Sequence, residues 1–424
     1  MINKNIKKEK IKVDNCEYNN LTFFNDYEDI VKASENWVIL LKKIYKNVSI
    51  EDHGIDYENK RDLDITQKDL AAEELFVRLI RCESLISPGE RKEERENETK
   101  RKKLILQTGV HGIEGYVGAI LVDYFIRKDL KKLIYDYNLD FDLFIILNSN
   151  PYGVRYKRRV NENNVDLNRN FLLSERDFDA FELDKQELSY KAIDRIVNLD
   201  TEKSLKFQSL FLDSILIVLK ILKYVIKNGS KNFKNNLLSG QSFNKKGLYY
   251  RGSEYQPETK IIKDIFQNII NNNCVLIDLH SGYGPRYQMS IVNSSFEPQS
   301  IEQMKADFEY PLVVKSSSNE FYNISGDMID YLYKIFFENS RLKYATTFEF
   351  GTFGDSLIAS LKSVIAVALE NQNFFSRKNS KSFDKKIRKL FKQAYYPVEK
   401  KWWNKAVADF EKAIFSICNF HLKY

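Results

Sequence analysis

The 424-residue chain contains four histidines, His53, His111, His280 and His421, and two of them stand in unusual company. His111 is followed three positions later by Glu114, in His111-Gly-Ile-Glu114, and His280 closes the apolar run Val-Leu-Ile-Asp-Leu just before Ser-Gly-Tyr-Gly. Two imidazoles and one carboxylate, with a fourth position left to water, are the ligand set of a catalytic Zn²⁺, one ion per chain. Such an ion brings the pKa of a bound water toward neutrality and polarises a carbonyl. A single histidine at a strand end is commonly just a hydrogen-bonded structural residue; the company of Glu114 and of the segments below gives ligation its weight. No HExxH helix can be written, which excludes zincin-type proteases. Asp278, two positions before His280, falls on the same strand face and could fix the imidazole tautomer, or equally serve a loop amide.

Two further segments carry chemistry. Residues 156–171, Tyr-Lys-Arg-Arg-Val-Asn-Glu-Asn-Asn-Val-Asp-Leu-Asn-Arg-Asn-Phe, concentrate cations and amides. The planar guanidinium fork suits bidentate binding of a carboxylate, so Asn168 with Arg169 could hold a terminal carboxylate and Arg159 could stabilise an oxyanion. The other reading of this segment is a solvated basic loop. Glu349 stands alone inside the apolar strand pattern Thr-Thr-Phe-Glu-Phe-Gly, and a carboxyl buried there has a raised pKa or a metal-site partner, the profile of a general base.

The elements that must position these residues can be read from periodicity. Residues 104–107, 141–147, 275–279 and 345–350 are short apolar runs, the first ending at a strand-to-helix turn that carries His111 and Glu114. Strands alternating with helical spacing predict an α/β fold, a mixed and mainly parallel sheet with helices on both faces. Ligand sites in such sheets lie beyond the carboxyl ends of strands, where both histidines fall. Helical spacing over 22–48 and 67–82 predicts two N-terminal helices, and the mixed-charge stretch 87–103 a solvated loop. We divide the chain into 1–100, an N-terminal helical region and charged loop packed on the catalytic unit; 101–375, the catalytic domain with a helical insertion at about 172–240; and 376–424, a C-terminal helical extension.

Composition narrows the partners. With 66 Lys+Arg against 59 Asp+Glu the net charge is only +7, and basic runs alternate with acidic ones, so no nucleic-acid partner is expected. The most apolar window, 210–226, is interrupted by Asp213, Lys220 and Lys223; it reads as a buried or amphipathic helix, and no membrane partner is expected. Four scattered cysteines and the lack of a classical signal peptide point to the cytoplasm, with non-classical export left open.

Taken together, the residues resemble the zinc metallocarboxypeptidase superfamily of the carboxypeptidase A type, and most closely a branch of bacterial carboxypeptidase-like proteins bearing His-Gly-x-Glu-Gly. The resemblance covers roughly 104–354 without the insertion. It rests on His111-Gly-Ile-Glu114, Asn150-Pro-Tyr-Gly153, Val165-Asp-Leu-Asn-Arg-Asn-Phe171, Asp278-Leu-His280-Ser, 322–331 (Tyr-Asn-Ile-Ser-Gly-Asp-Met-Ile-Asp-Tyr) and Phe348-Glu349, in the family's order. It implies that His111, Glu114 and His280 bind zinc, that Glu349 activates the zinc-bound water and shuttles its proton, and that Arg159, or Arg158 if the match slips by one, polarises the scissile carbonyl. It further implies that Asn168 and Arg169 grip the substrate's carboxylate, that Tyr322 closes over it, and that Ile329 lines the specificity pocket and favours an apolar residue.

The sequence departs from the peptidase pattern after Glu349, where Phe-Gly-Thr-Phe-Gly follows, and Glu-x-Gly is similar to the aspartoacylase and succinylglutamate desuccinylase branch. Asp327, near the expected pocket, would favour a basic group. The leading expectation is therefore a zinc hydrolase cleaving an amide next to a free carboxylate in a peptide or peptide-like substrate. The alternatives are a deacylase of small N-acylated amino acids, and a non-catalytic binding module on the same fold. The insertion could act as a lid or as an oligomerisation surface.

Overall fold

The computed structural model describes residues 21–56, 74–85, 101–180, 185–198, 207–316, 326–376 and 381–423. The elements are α1 (Tyr27–Leu41), β1 (Tyr45–Gly54), β2 (Phe76–Leu85), β3 (Lys103–Thr108), α2 (Gly115–Tyr124), β4 (Asp142–Leu147), α3 (Pro151–Tyr156), α4 (Arg176–Ala180), α5 (Lys185–Val197), α6 (Phe207–Asn228), α7 (Ser230–Leu238) and α8 (Pro257–Ile269). They continue with β5 (Cys274–Gly282), β6 (Met289–Asn293), α9 (Ile301–Asp307), β7 (Val313–Lys315), α10 (Met328–Leu332), β8 (Tyr344–Gly351), α11 (Leu357–Ser376), α12 (Lys381–Tyr395) and α13 (Lys400–Leu422).

The strands form one eight-stranded sheet in the order β1-β2-β4-β3-β5-β8-β6-β7. Its centre, β4-β3-β5-β8, is parallel; β1, β2 and β6 join antiparallel. Side chains alternate across the pleat. In β5, Val275, Ile277 and Leu279 enter a core built with α1, α2 and α13, while Cys274 and Leu276 enter a second core with Ile262, Ile265, Phe266 and Ile269 of α8. Helices thus cover both faces, the α/β architecture that the periodicity predicts.

Local chemistry explains the flanking helices. Asp26 caps α1, its carboxylate accepting from Asp29 N at 3.0 Å, with Glu28 and Asp29 in the first turn where the helix dipole favours acids. Trp37 of α1 donates to Asp123 of α2 at 2.8 Å, tying the two helices together. Trp402 of α13 donates to the Gly351 carbonyl at 2.7 Å and so fixes the end of β8, two residues beyond Glu349.

The N-terminal expectation needs correction. Of the helix expected over 67–82, residues 67–73 lie outside the described residues, and 76–82 belong to β2, paired with β1 on one side and β4 on the other. Val77, Arg78, Leu79 and Ile80 are buried on both faces of the sheet, and a short run without alternation reads like a buried helix in sequence. Likewise the helix expected over 22–48 stops at Leu41, and Tyr45 starts β1. The N-terminal region therefore extends the sheet rather than forming a helical pair. Residues 87–100 of the expected charged loop are outside the described set, and Lys103 already belongs to β3.

The insertion is helical where it is described, as α4 to α7. It shares a third core with the C-terminal helices, including Tyr190, Ile217, Ile221 and Leu237 from the insertion and Val364, Phe391 and Tyr395 from α11 and α12. Ile113, which lies between His111 and Glu114, packs into this same core.

Candidate metal centre

His111 and Glu114 sit on the turn between β3 and α2, with residues Gly112–Glu114 forming a single tight helical turn. Gly112 is required there, because a Cβ would overlap the backbone of Gly153 in α3. The close approach lets Gly112 N and Ile113 N donate to the carbonyls of Arg159 and Arg158, at 3.1 and 2.8 Å, which docks the basic segment directly against the turn. From the neighbouring strand β5 comes His280, in register with Glu349 of β8. Strand alternation thus brings the His111 turn, His280 and Glu349 to one end of the parallel centre.

One donor atom from each of His111, Glu114 and His280 lies within 4.8 Å of the others, and all three residues are buried. Two of these donors already face a cation. Arg159 donates to Glu114 Oε1 at 3.0 Å and to His111 Nε2 at 2.6 Å. A guanidinium has donors only, so it stands between the two groups much as a metal ion would. His280 Nδ1 lies 3.2 Å from Glu114 Oε2, and the same oxygen accepts a hydrogen bond from Ser281 N at 2.9 Å. The buried His111 Nδ1 has no hydrogen-bond partner among the described residues. Two nitrogen donors and a carboxylate, closely grouped and shielded from water, fit a dication of the zinc type.

The electrostatics differ between the two imidazoles. Burial, and then the positive charge of Arg159, hold His111 well below the usual histidine range, so it is neutral and available as a ligand. Burial alone would lower His280 too, but the adjacent carboxylates of Asp278 and Glu114 outweigh it and raise it well above that range. Asp278 Oδ2 is 2.5 Å from His280 Nε2, the outer contact that orients a ligand imidazole. Glu349 is pushed up to about 8, first by burial and then by the charge of Glu114, and accepts one hydrogen bond, from Tyr283 N at 2.9 Å.

These groups line a cavity of about 160 Å³ together with Arg159, Asn168, Arg169, Asp327 and Ile329. Asn168 is engaged locally, donating to Asp327 at 2.9 Å and accepting from Met328 N at 3.0 Å. Arg169 donates to the Leu238 and Asn168 carbonyls. Arg158 is not at the cavity: it pairs with Glu370 at 2.9 Å beneath the Phe374 ring. Tyr322 lies outside the described residues.

Three contributors were not singled out from sequence. Asp166, fully buried, lies 3.4 Å from His111 Nδ1, 3.2 Å from Arg159 Nε and 3.7 Å from Arg169 Nη1. Its signal was its place between those arginines in Val165-Asp-Leu-Asn-Arg. Tyr249 and Tyr395 flank the Arg159 guanidinium at 5.6 and 5.7 Å from its centre, and they come from the loop between α7 and α8 and from α12, where spacing carried no such signal.

A family model described as "Protein of unknown function (DUF2817)" matches residues 94–409. The chain belongs to this family. The matched span of this DUF2817 chain includes every residue of the candidate centre. No curated protein matches it. Among solved structures it is similar to bovine thrombin-activatable fibrinolysis inhibitor in complex with tick carboxypeptidase inhibitor, at 15% identity, covering 94% of this chain and 98% of that one, with a TM-score of 0.48. It is also similar to carboxypeptidase A from Helicoverpa armigera, at 14% identity over 91% and 74% with a TM-score of 0.40. A further likeness is to the succinylglutamate desuccinylase from Chromobacterium violaceum, at 13% identity over 71% and 67% with a TM-score of 0.28.

Proposed function

We propose that the chain is a zinc-dependent hydrolase of the carboxypeptidase type, cleaving an amide bond next to a free carboxylate in a short peptide or peptide-like substrate. The observation that carries this reading is the convergence of His111, Glu114 and His280 at a cavity that also holds Arg159, Arg169 and Glu349. Zinc, when bound, would act as a Lewis acid and make water acidic near neutral pH.

The chain's own residues supply the rest. Glu349 has one carboxyl oxygen held by Tyr283 N, and its elevated pKa suits a group that takes a proton from water and returns it to a leaving amine. Arg159, held between Glu114 and Asp166, presents a fixed positive charge to a developing oxyanion. Asp278 orients His280. Arg169, with Asn168 beside it, offers charge for the substrate's carboxylate. Leu238, Tyr249 and Tyr395 also line the cavity, whose volume of about 160 Å³ suits a small substrate or a short chain.

The test is elemental analysis of the purified protein, paired with amino-acid release from a panel of peptides and N-acyl amino acids, with and without chelator. Near-stoichiometric zinc with chelator-sensitive release from peptides is the expected result. Release from N-acyl amino acids alone would move the substrate class, and no zinc with no activity after adding it back would overturn the reading.

A further inference from the structure

The helix α6 carries apolar residues on two faces. Ile217 and Ile221 point into the third core and are buried, but Ile215, Leu216, Leu219 and Ile226 are exposed, Ile226 at 85%. At roughly 3.6 residues per turn, Ile215, Leu219 and Ile226 fall in one stripe on the side opposite Ile217 and Ile221. Lys220, Lys223 and Lys227, all exposed, border that stripe along one flank. None of the three pairs with a carboxylate among the described residues; Lys220 reaches only the Arg195 carbonyl, at 3.5 Å.

Beyond Asp213, the charge of the stretch that carries the stripe is one-sided. From residue 214 to residue 253 the chain has seven lysines and one arginine and no aspartate or glutamate, in a protein whose net charge overall is only +7. A contiguous exposed apolar stripe marks an interaction site, and the charge beside it says what kind. Two copies of the chain meeting symmetrically through α6 would set these lysines against their own equivalents, which disfavours self-association. Aliphatic side chains in line, flanked by lysines on long flexible stems, match the boundary of an anionic lipid bilayer, where the apolar face enters the acyl region and the ammonium groups stay among the headgroups.

We propose that the outward face of α6 docks the protein peripherally on anionic lipid membranes. The helix lies on such a surface and does not cross it, for no helix among the described residues is long and apolar enough to span a bilayer. This departs from the expectation of no membrane partner, which rested on hydropathy alone. It is independent of the catalytic reading, since no residue of the stripe lines the cavity.

The experiment is flotation of the full chain with phosphatidylcholine vesicles, with and without about a third phosphatidylglycerol, at low and high salt. The expected result is binding to the anionic vesicles only, weakened by salt and lost in a triple Ile215→Ser, Leu219→Ser, Ile226→Ser variant that keeps the far-ultraviolet circular dichroism spectrum of the parent. Lys223→Gln and Lys227→Gln should each weaken binding about fivefold, from roughly 1 kcal/mol per lysine near an anionic surface. Absence of binding to anionic vesicles overturns the proposal. So does binding that the triple variant retains, or a dimer seen by analytical ultracentrifugation without lipid that the same variant abolishes.

Discussion

At the scale of single residues, the centre is a balance of buried charges. Glu349→Gln keeps the shape of the side chain but cannot carry the proton, so turnover should fall by about 10²- to 10⁴-fold while bound zinc is retained. Parent-like turnover in the variant would remove Glu349 from the base role. Asp166 makes a subtler contribution. With no exposure, it places one negative charge among His111, Arg159 and Arg169. Asp166→Asn leaves the buried Arg169 without its carboxylate and Arg159 with Glu114 alone, and loss of a buried partner costs about 3–5 kcal/mol. It should also weaken zinc binding by roughly 10- to 100-fold, as loss of the contacts that orient a ligand does. Denaturant titration and metal competition read the two effects separately, and a variant unchanged in both would show that Asp166 is not coupled to the centre.

At the scale of elements, the β3–α2 turn decides whether the donors meet. Gly112→Ala forces a Cβ into the Gly153 backbone and strains the two hydrogen bonds that hold Arg158 and Arg159 against the turn. We expect a loss of about 1–3 kcal/mol from overpacking, together with a lower zinc content at saturation. Calorimetry and elemental analysis of the variant check both, and an unchanged melting temperature would count against the close approach of the two segments. This turn was legible in the sequence because it joined a four-residue apolar run to a helical pattern through Gly-Val-His-Gly, and so were β4, β5 and β8. The strand β2 was not, because burial on both faces erases the alternation that betrays a strand. Asp166, Tyr249 and Tyr395 stayed hidden for another reason: their importance is created by tertiary contact with Arg159, across separations that no local pattern reports.

At the scale of the whole molecule, stability should depend on pH through a group far from the centre. His421, near the end of α13, stacks on Tyr344 of β8 with ring centres 4.5 Å apart, and its Nε2 has no hydrogen-bond partner among the described residues. Burial first, and the Lys343 charge second, lower it to about 3. The unfolded chain binds a proton there below about pH 6.5 and the folded chain does not, so stability is complete above that pH and is lost as pH falls toward 3. His421→Phe keeps the stacking and removes the titration. Its denaturation free energy should fall less steeply than the parent's between pH 6.5 and 4, by up to about 1.4 kcal/mol per unit. Parallel slopes for the two proteins would show that His421 does not set this acid sensitivity.

The shared core of the insertion and the C-terminal helices also orders events in time. On a chain made from its N-terminus, His111, Glu114, His280 and Glu349 all emerge before Tyr395, whose ring completes the wall beside Arg159. A growing chain therefore holds its full set of donors before it has an enclosed cavity, and the pocket assumes its final shape only once α12 has been made.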